Sequence, residues 1–196
     1  MASCEPPKPT DEELLDRQAA LQAEARDFVA EHGIERLLER LGRVIPVGSA
    51  VTGLMVWRDL DYMVDAPGAA AGDVWDGLRP LLHVCQQLVY ADETGELAGD
   101  AAPFERHYFV FRLAGWKLDI SVWTNGSPEE VERHQATLRE LDASTTLAIL
   151  RIKDARHKRP DYPEVVGGFE IYEAVLEHGV RTAEEFEKYL GRERQL

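Results

Sequence analysis

Residues 47–64 read VGSAVTGLMVWRDLDYMV, and this stretch decides the fold. Gly48-Ser49 is followed, after nine residues, by Asp59-Leu60-Asp61, and apolar residues flank both ends. Two carboxylates at i and i+2 on a strand point to one face, because strand side chains alternate. Like charges that close are costly unless a cation lies between them, and hard Mg²⁺ prefers oxygen ligands. A Gly-Ser turn brings backbone N–H groups and a hydroxyl close to phosphate oxygens. A metal beside a phosphate-binding turn indicates nucleotide chemistry.

Working outward, Arg43–Val47 is predicted as a short strand and Asp59–Val64 as a second, ended by Asp65-Ala66-Pro67-Gly68. Upstream, apolar residues from Asp11 to Leu41 keep helical spacing with a break at Gly33. Downstream, Val74, Leu78, Leu82, Cys85 and Leu88 predict a helix from about Gly72 to Leu88, kinked or split in two at Pro80. A polar loop covers Ala91–Pro103. The run RHYFVFRLAGWKLDISVW, residues 106–123, reads as a β-hairpin about Ala114-Gly115. On its second strand, Lys117, Asp119, Ser121 and Trp123 fall opposite Trp116, Leu118, Ile120 and Val122.

Ser127-Pro128-Glu129-Glu130 carries helix-start signals and opens a long helix whose apolar stripe reaches Ile152. After a Pro- and Gly-rich loop, a helix spans Phe169–His178, and Thr182…Glu185 is a capping box for the last one. The fold class is α+β, a mixed β-sheet flanked by helices. The expected organisation is a disordered segment 1–9 with three prolines, an α/β domain 10–126 and a C-terminal helical subdomain 127–196.

The 22 basic and 36 acidic residues give a net charge of −14. That balance argues against broad contact with nucleic acid or an anionic membrane. Cys4 and Cys85 are too few for a disulfide framework, the first ten residues have no apolar core, and no run approaches a membrane span. A cytoplasmic protein is expected.

The segment from Gly48 to Gly53 has the outline of a P-loop, but Leu54-Met55 stands where Lys-Ser/Thr is required. It also lacks the second glycine of a dinucleotide fingerprint. What remains is Gly48-Ser49, nine residues, Asp59-Leu60-Asp61, and then a later strand with one carboxylate, Asp119 in KLDIS. Over residues 43–123 this pattern resembles the polymerase-beta-like nucleotidyltransferase superfamily, which includes aminoglycoside and minimal nucleotidyltransferases. The chain departs from the superfamily's usual small, polar residues before the first aspartate, carrying Leu54-Met55-Val56-Trp57-Arg58 instead.

The resemblance implies a nucleotidyltransferase-like fold. Asp59, Asp61 and Asp119 would be catalytic and would ligate one or two Mg²⁺ ions, and Gly48 and Ser49 would hold the β- and γ-phosphates of a nucleoside triphosphate, ATP in the first instance. Lys153, from the basic segment Arg151–Arg159, would reach the triphosphate. The implied activity is transfer of a nucleoside monophosphate to a hydroxyl of a small molecule, with an antibiotic as one acceptor class. No nucleic acid or membrane partner is expected, and a homodimer is compatible with the superfamily. Two alternatives stand beside it: AMP addition to a partner protein, as in toxin–antitoxin modules, and a catalytically silent nucleotide-binding module.

Overall fold

The structure, a computed structural model, describes residues 8–95, 104–126, 128–163 and 165–193. The expected disorder of residues 1–9 lies outside the described residues up to residue 7, as do the end of the polar loop (96–103) and the expected cap Ser127.

The chain opens with α1 (Asp11–His32) and α2 (Ile34–Leu38), separated at Gly33 by a left-handed residue with φ 59°. Glycine takes that conformation without the Cβ clash other residues meet. There follow β1 (Arg43–Val47), the short α3 (Ser49–Thr52), β2 (Asp59–Asp65) and α4 (Ala71–Leu78). Next come β3 (Cys85–Glu93), β4 (Glu105–Leu113) and β5 (Trp116–Asn125). Four helices end the chain: α5 (Glu129–Arg139), α6 (Ala143–Arg156), α7 (Gly168–Leu176) and α8 (Ala183–Glu193). The fold is α+β. Among the described residues, no helix is long and apolar enough to cross a membrane.

The five strands form one sheet in the order β1-β2-β5-β4-β3. Only the β2–β5 pair is parallel; the other three are antiparallel. The hairpin expected at residues 106–123 is β4 and β5, turning at Ala114-Gly115. Alternation then sorts the side chains. Leu60, Tyr62 and Val64 of β2 enter the core with Phe109, Phe111 and Leu113 of β4 and Leu118, Ile120 and Val122 of β5. Phe28, Ile34, Leu38, Val74 and Leu78 cover that face. Each such side chain contributes about 1.5–3 kcal/mol by leaving water. Asp59, Asp61, Lys117 and Asp119 are therefore committed to the other face.

Two expectations fail here. The helix predicted from Gly72 to Leu88 stops at Leu78, passes through a 3₁₀ turn at Arg79–His83, and becomes a strand. Pro80 has no N–H to continue the helix, and Gln87–Glu93 pairs along β4 instead. The single long helix predicted after residue 128 is two. Asp142 starts the second, its side chain accepting from the N–H groups of Ser144 and Thr145 at 2.8 and 3.0 Å. That satisfies helix donors with no partner inside the helix.

The chain folds as two compact units, Leu21–Glu140 and a second made of Met1–Ala20 with Leu141–Leu196. The first holds the sheet. Inside the second, Ile149, Ile152, Ile171, Val175 and Phe186 are buried. Charges are buried there too. Arg156, 3% exposed, donates to Asp161 at 2.8 Å and to Glu187 at 3.0 Å. Asp154 accepts from Arg17 and Lys158.

Candidate active site

Strand register brings the aspartates together. Along the parallel pair, Asp59 lies beside Lys117, and Asp61 lies beside Asp119. Tyr108 and Val110 follow on the next strand, facing Ser121 and Asp119. Asp119 is 9% exposed. Its Oδ2 accepts from the Tyr108 hydroxyl and from the Lys117 ammonium, both at 2.7 Å. Its Oδ1 is buried with no hydrogen-bond partner. An unmatched buried carboxylate oxygen costs about 1–3 kcal/mol, so this atom marks where a cation or a proton donor fits.

Lys117 is the positive centre of the cluster. Its Nζ lies 3.3 Å from Asp59 Oδ1 as well as 2.7 Å from Asp119. Burial by itself pushes its pKa down, but Asp59, Asp119 and Asp61 more than offset that and hold it above its ordinary value. Tyr108 is raised too, by burial first and then by the Asp119 charge and the bond it accepts, so the phenol remains a donor. The Trp57 ring lies under both Lys117 (5.9 Å) and Arg112 (5.7 Å). Arg106 stacks over Tyr108 at 4.6 Å and bonds Glu93 and Ser121.

Gly48 closes the other side. Its φ of 75° and ψ of −163° lie in a region that only glycine occupies readily. A methyl group there would collide with the Asp61 carboxylate. The backbone therefore sits directly against Asp61. The Gly48 N–H donates to Gln135 Oε1 of α5 at 2.9 Å. Ser49 is buried at the start of α3.

The chemistry of this donor set fits a divalent cation. It offers three carboxylates, one of them with an oxygen lacking any partner, and a backbone turn pressed against a second. The fit is not that of a closed cage. Among the described residues, only Glu173, Glu177 and His178 have metal-capable atoms all within 4.8 Å of one another, and that trio is largely exposed acidic surface. The aspartates are more widely spread, with an ammonium between two of them.

The atypical linker has a structural reason. Leu54, Met55 and Val56 are buried, and the Arg58 carbonyl accepts the Lys117 N–H at 3.0 Å. Arg58 also pairs with Glu24 at 2.9 Å. The segment carries packing rather than lining an open loop. Lys153 lies in the other unit, 3% exposed, and donates to the Tyr172 hydroxyl at 3.2 Å. Arg106 is on the aspartate face, whereas His107 is buried and bonds Tyr90 at 3.1 Å. A cleft of about 460 Å³ lies on the opposite side of β2, lined in part by Ala25, Val29, Pro46, Val51, Leu60 and Tyr62. It contains none of the three aspartates.

Lys117, Tyr108 and Gln135 escaped the sequence reading as site residues. The first two were within reach. Lys117 is two positions before Asp119 on the same strand face, and Tyr108 alternates with core residues on the hairpin partner. Gln135 gave no signal, since it reaches Gly48 across 87 positions.

No protein-family model matches the chain, and no curated protein is significantly similar to it. Solved structures do match. The chain is similar to the RNA terminal uridylyl transferase Cid1, with 16% identity, a TM-score of 0.51, and coverage of 86% of this chain and 48% of that one. A second Cid1 structure, a poly(U) polymerase with Mg and 3'-dATP bound, matches at 17% identity and TM-score 0.43, covering 74% of this chain and 42% of that one. The GLD-2/RNP-8 complex matches at 13% identity and TM-score 0.47, covering 85% and 65%. The chain spans about half the length of the Cid1 chains it matches. Its fold is similar to that of the Cid1 terminal uridylyl transferase.

Proposed function

We propose that the chain transfers a nucleoside monophosphate from a nucleoside triphosphate, ATP in the first instance, to a hydroxyl of a small molecule. One observation carries the proposal: Asp61 and Asp119 are register partners on adjacent parallel strands, with Asp119 Oδ1 buried and unpartnered and Gly48 pressed against Asp61. Asp59, Asp61 and Asp119 would hold Mg²⁺ through carboxylate oxygens. The bound ion supplies Lewis-acid stabilisation of the charge that develops on the transferring phosphate.

The chain's own residues divide the remaining work. Gly48 and Ser49 position the β- and γ-phosphates, the glycine allowing backbone to approach where a side chain would clash. The acceptor oxygen bonds to the α-phosphorus as the bond from that phosphorus to the bridging oxygen breaks. Pyrophosphate leaves with that oxygen, and the hydroxyl proton passes to the Asp119 carboxylate. Tyr108 fixes the orientation of that carboxylate through Oδ2, leaving Oδ1 for the reaction. The proposal omits Lys153, whose ammonium is buried against Tyr172.

A net charge of −14 supports a neutral or cationic acceptor, an aminoglycoside-type antibiotic among them, over an RNA end. The test uses α-³²P-labelled ATP with Mg²⁺ and three acceptor sets: hydroxyl-bearing small molecules, a short RNA, and cell protein. The proposal expects label on a small molecule and its loss in Asp61→Asn. Label on RNA or on a protein band would overturn the acceptor assignment, and full transfer by Asp61→Asn would overturn the mechanism.

A further inference from the structure

We propose that Lys117 is a resident counter-cation of the carboxylate cluster, which a divalent ion must displace from Asp119 and Asp59 before binding there. The inference rests on the metal-dependent reading above and deepens it.

The geometry separates this lysine from an ordinary ion pair. An ordinary buried pair balances one charge with one, and then satisfies the remaining lone pairs with hydrogen bonds. Here one ammonium, itself 7% exposed, serves carboxylates from two strands, at 2.7 Å to Asp119 and 3.3 Å to Asp59. Asp61 stands next to Asp119 in the register. One ammonium is thus shared by two carboxylates with a third in register beside them, and Asp119 Oδ1 still has no partner. Nor does Asp119 Oδ2 have room to spare, since it already takes both Tyr108 and Lys117. A divalent ion seeking Asp119 and Asp59 together would meet the ammonium between them.

Displacement is feasible because Lys117 has a second surface to meet. The Trp57 ring lies 5.9 Å from Nζ, and an ammonium over an indole face is attracted to it. The flexible lysine stem permits such a shift without moving β5.

The consequence is a measurable penalty on metal affinity. A site whose binding-competent form is populated one-tenth of the time binds about tenfold more weakly than its intrinsic affinity. Mn²⁺ binding, read from the paramagnetic resonance of the free ion, tests this on the full chain. Lys117→Met and Lys117→Gln are expected to bind Mn²⁺ about tenfold or more tightly than wild type, whereas Lys117→Arg, which keeps the charge, is not. The tight binding should disappear in Lys117→Gln/Asp119→Asn. Mn²⁺ should also raise the melting temperature of Lys117→Met more than that of wild type, because the metal then neutralises carboxylates left without their ammonium. If Lys117→Met fails to fold without metal, Lys117→Gln carries the comparison, as its amide can still donate to Asp119.

Equal or weaker Mn²⁺ binding in the neutral variants, with measurable binding in wild type, would overturn the inference and leave the proposed function standing. Tight binding that survives Asp119→Asn would overturn it as well, by placing the ion elsewhere. Absence of Mn²⁺ binding in wild type and variants alike would overturn the inference and the metal-dependent reading together.

Discussion

Both units of the molecule bury charge, and they do so differently. In the C-terminal unit, buried Arg156 has two carboxylate partners that remain half-exposed, Asp161 and Glu187. Asp154 likewise has Arg17 and Lys158. In the sheet unit the carboxylates beside the ammonium are largely buried as well. One ammonium is shared by two aspartates with a third in register beside them, and a buried carboxylate oxygen is left without a donor. The buried charges of the C-terminal unit face opposite charge that reaches solvent, although Arg17 Nε and Arg156 Nε are, like Asp119 Oδ1, buried without a hydrogen-bond partner. Carboxylates gathered in register on adjacent strands, sharing one ammonium, mark a candidate functional site.

That contrast predicts which substitutions should abolish transfer and which should only loosen the fold. The largest effect belongs to Asp119→Asn. Removing one carboxylate from the cluster should lower nucleotidyl transfer about a thousandfold or more, the equivalent of several kcal/mol of transition-state stabilisation. The variant should stay folded, because the asparagine oxygen can still accept from Tyr108 and Lys117. Steady-state rates and a thermal melt together check this; near-normal turnover would make the cluster one more structural pair.

Gly48→Ala comes next. The new methyl meets the Asp61 carboxylate in a conformation disfavoured for any residue with a Cβ. A loss of about 1–3 kcal/mol in stability is expected from that backbone strain, with transfer falling further than stability explains. Chemical denaturation paired with rate measurements separates the two. Arg156→Met probes the opposite member of the comparison. It should cost about 1–3 kcal/mol through lost charge-assisted hydrogen bonds and leave turnover per folded molecule unchanged.

The smallest effect concerns Asp142. Hydrogen bonds from Ser144 and Thr145 hold its carboxyl well below the usual carboxylate range. A carboxyl depressed in the folded state contributes stability above its unfolded pKa, and that contribution fades as pH falls through the folded value. Asp142→Ala should therefore melt below wild type at neutral pH, and the gap should narrow progressively below about pH 4. A gap independent of pH would remove the cap from the account.

How much of this was legible in the sequence depended on the range of each interaction. Strand β1, the Ala114-Gly115 hairpin and the Asp59/Asp61 alternation follow from neighbours in the chain, and the structure matches them. Strand β3 was hidden because Val74, Leu78, Leu82, Cys85 and Leu88 keep helical spacing across a region that is half helix and half strand. Pairing with β4 decided the outcome, and spacing carries no record of a partner. The register of Asp61 on Asp119 was likewise beyond local reading. It depends on a parallel pairing between strands far apart in the chain. Lys117 shared the face of Asp119 in the sequence pattern, but its role emerged only when Asp59 appeared at its side. The apolar stretch Leu54–Val56 looked like a departure within the site and is core instead.

The most direct test is a crystal structure of the chain with Mg²⁺ and a non-hydrolysable ATP analogue. The account predicts metal density on Asp59, Asp61 and Asp119, with the β- and γ-phosphates against Gly48 and Ser49, and the Lys117 ammonium withdrawn from Asp119. A nucleotide bound away from the three aspartates, with Lys117 still seated on Asp119, would contradict it.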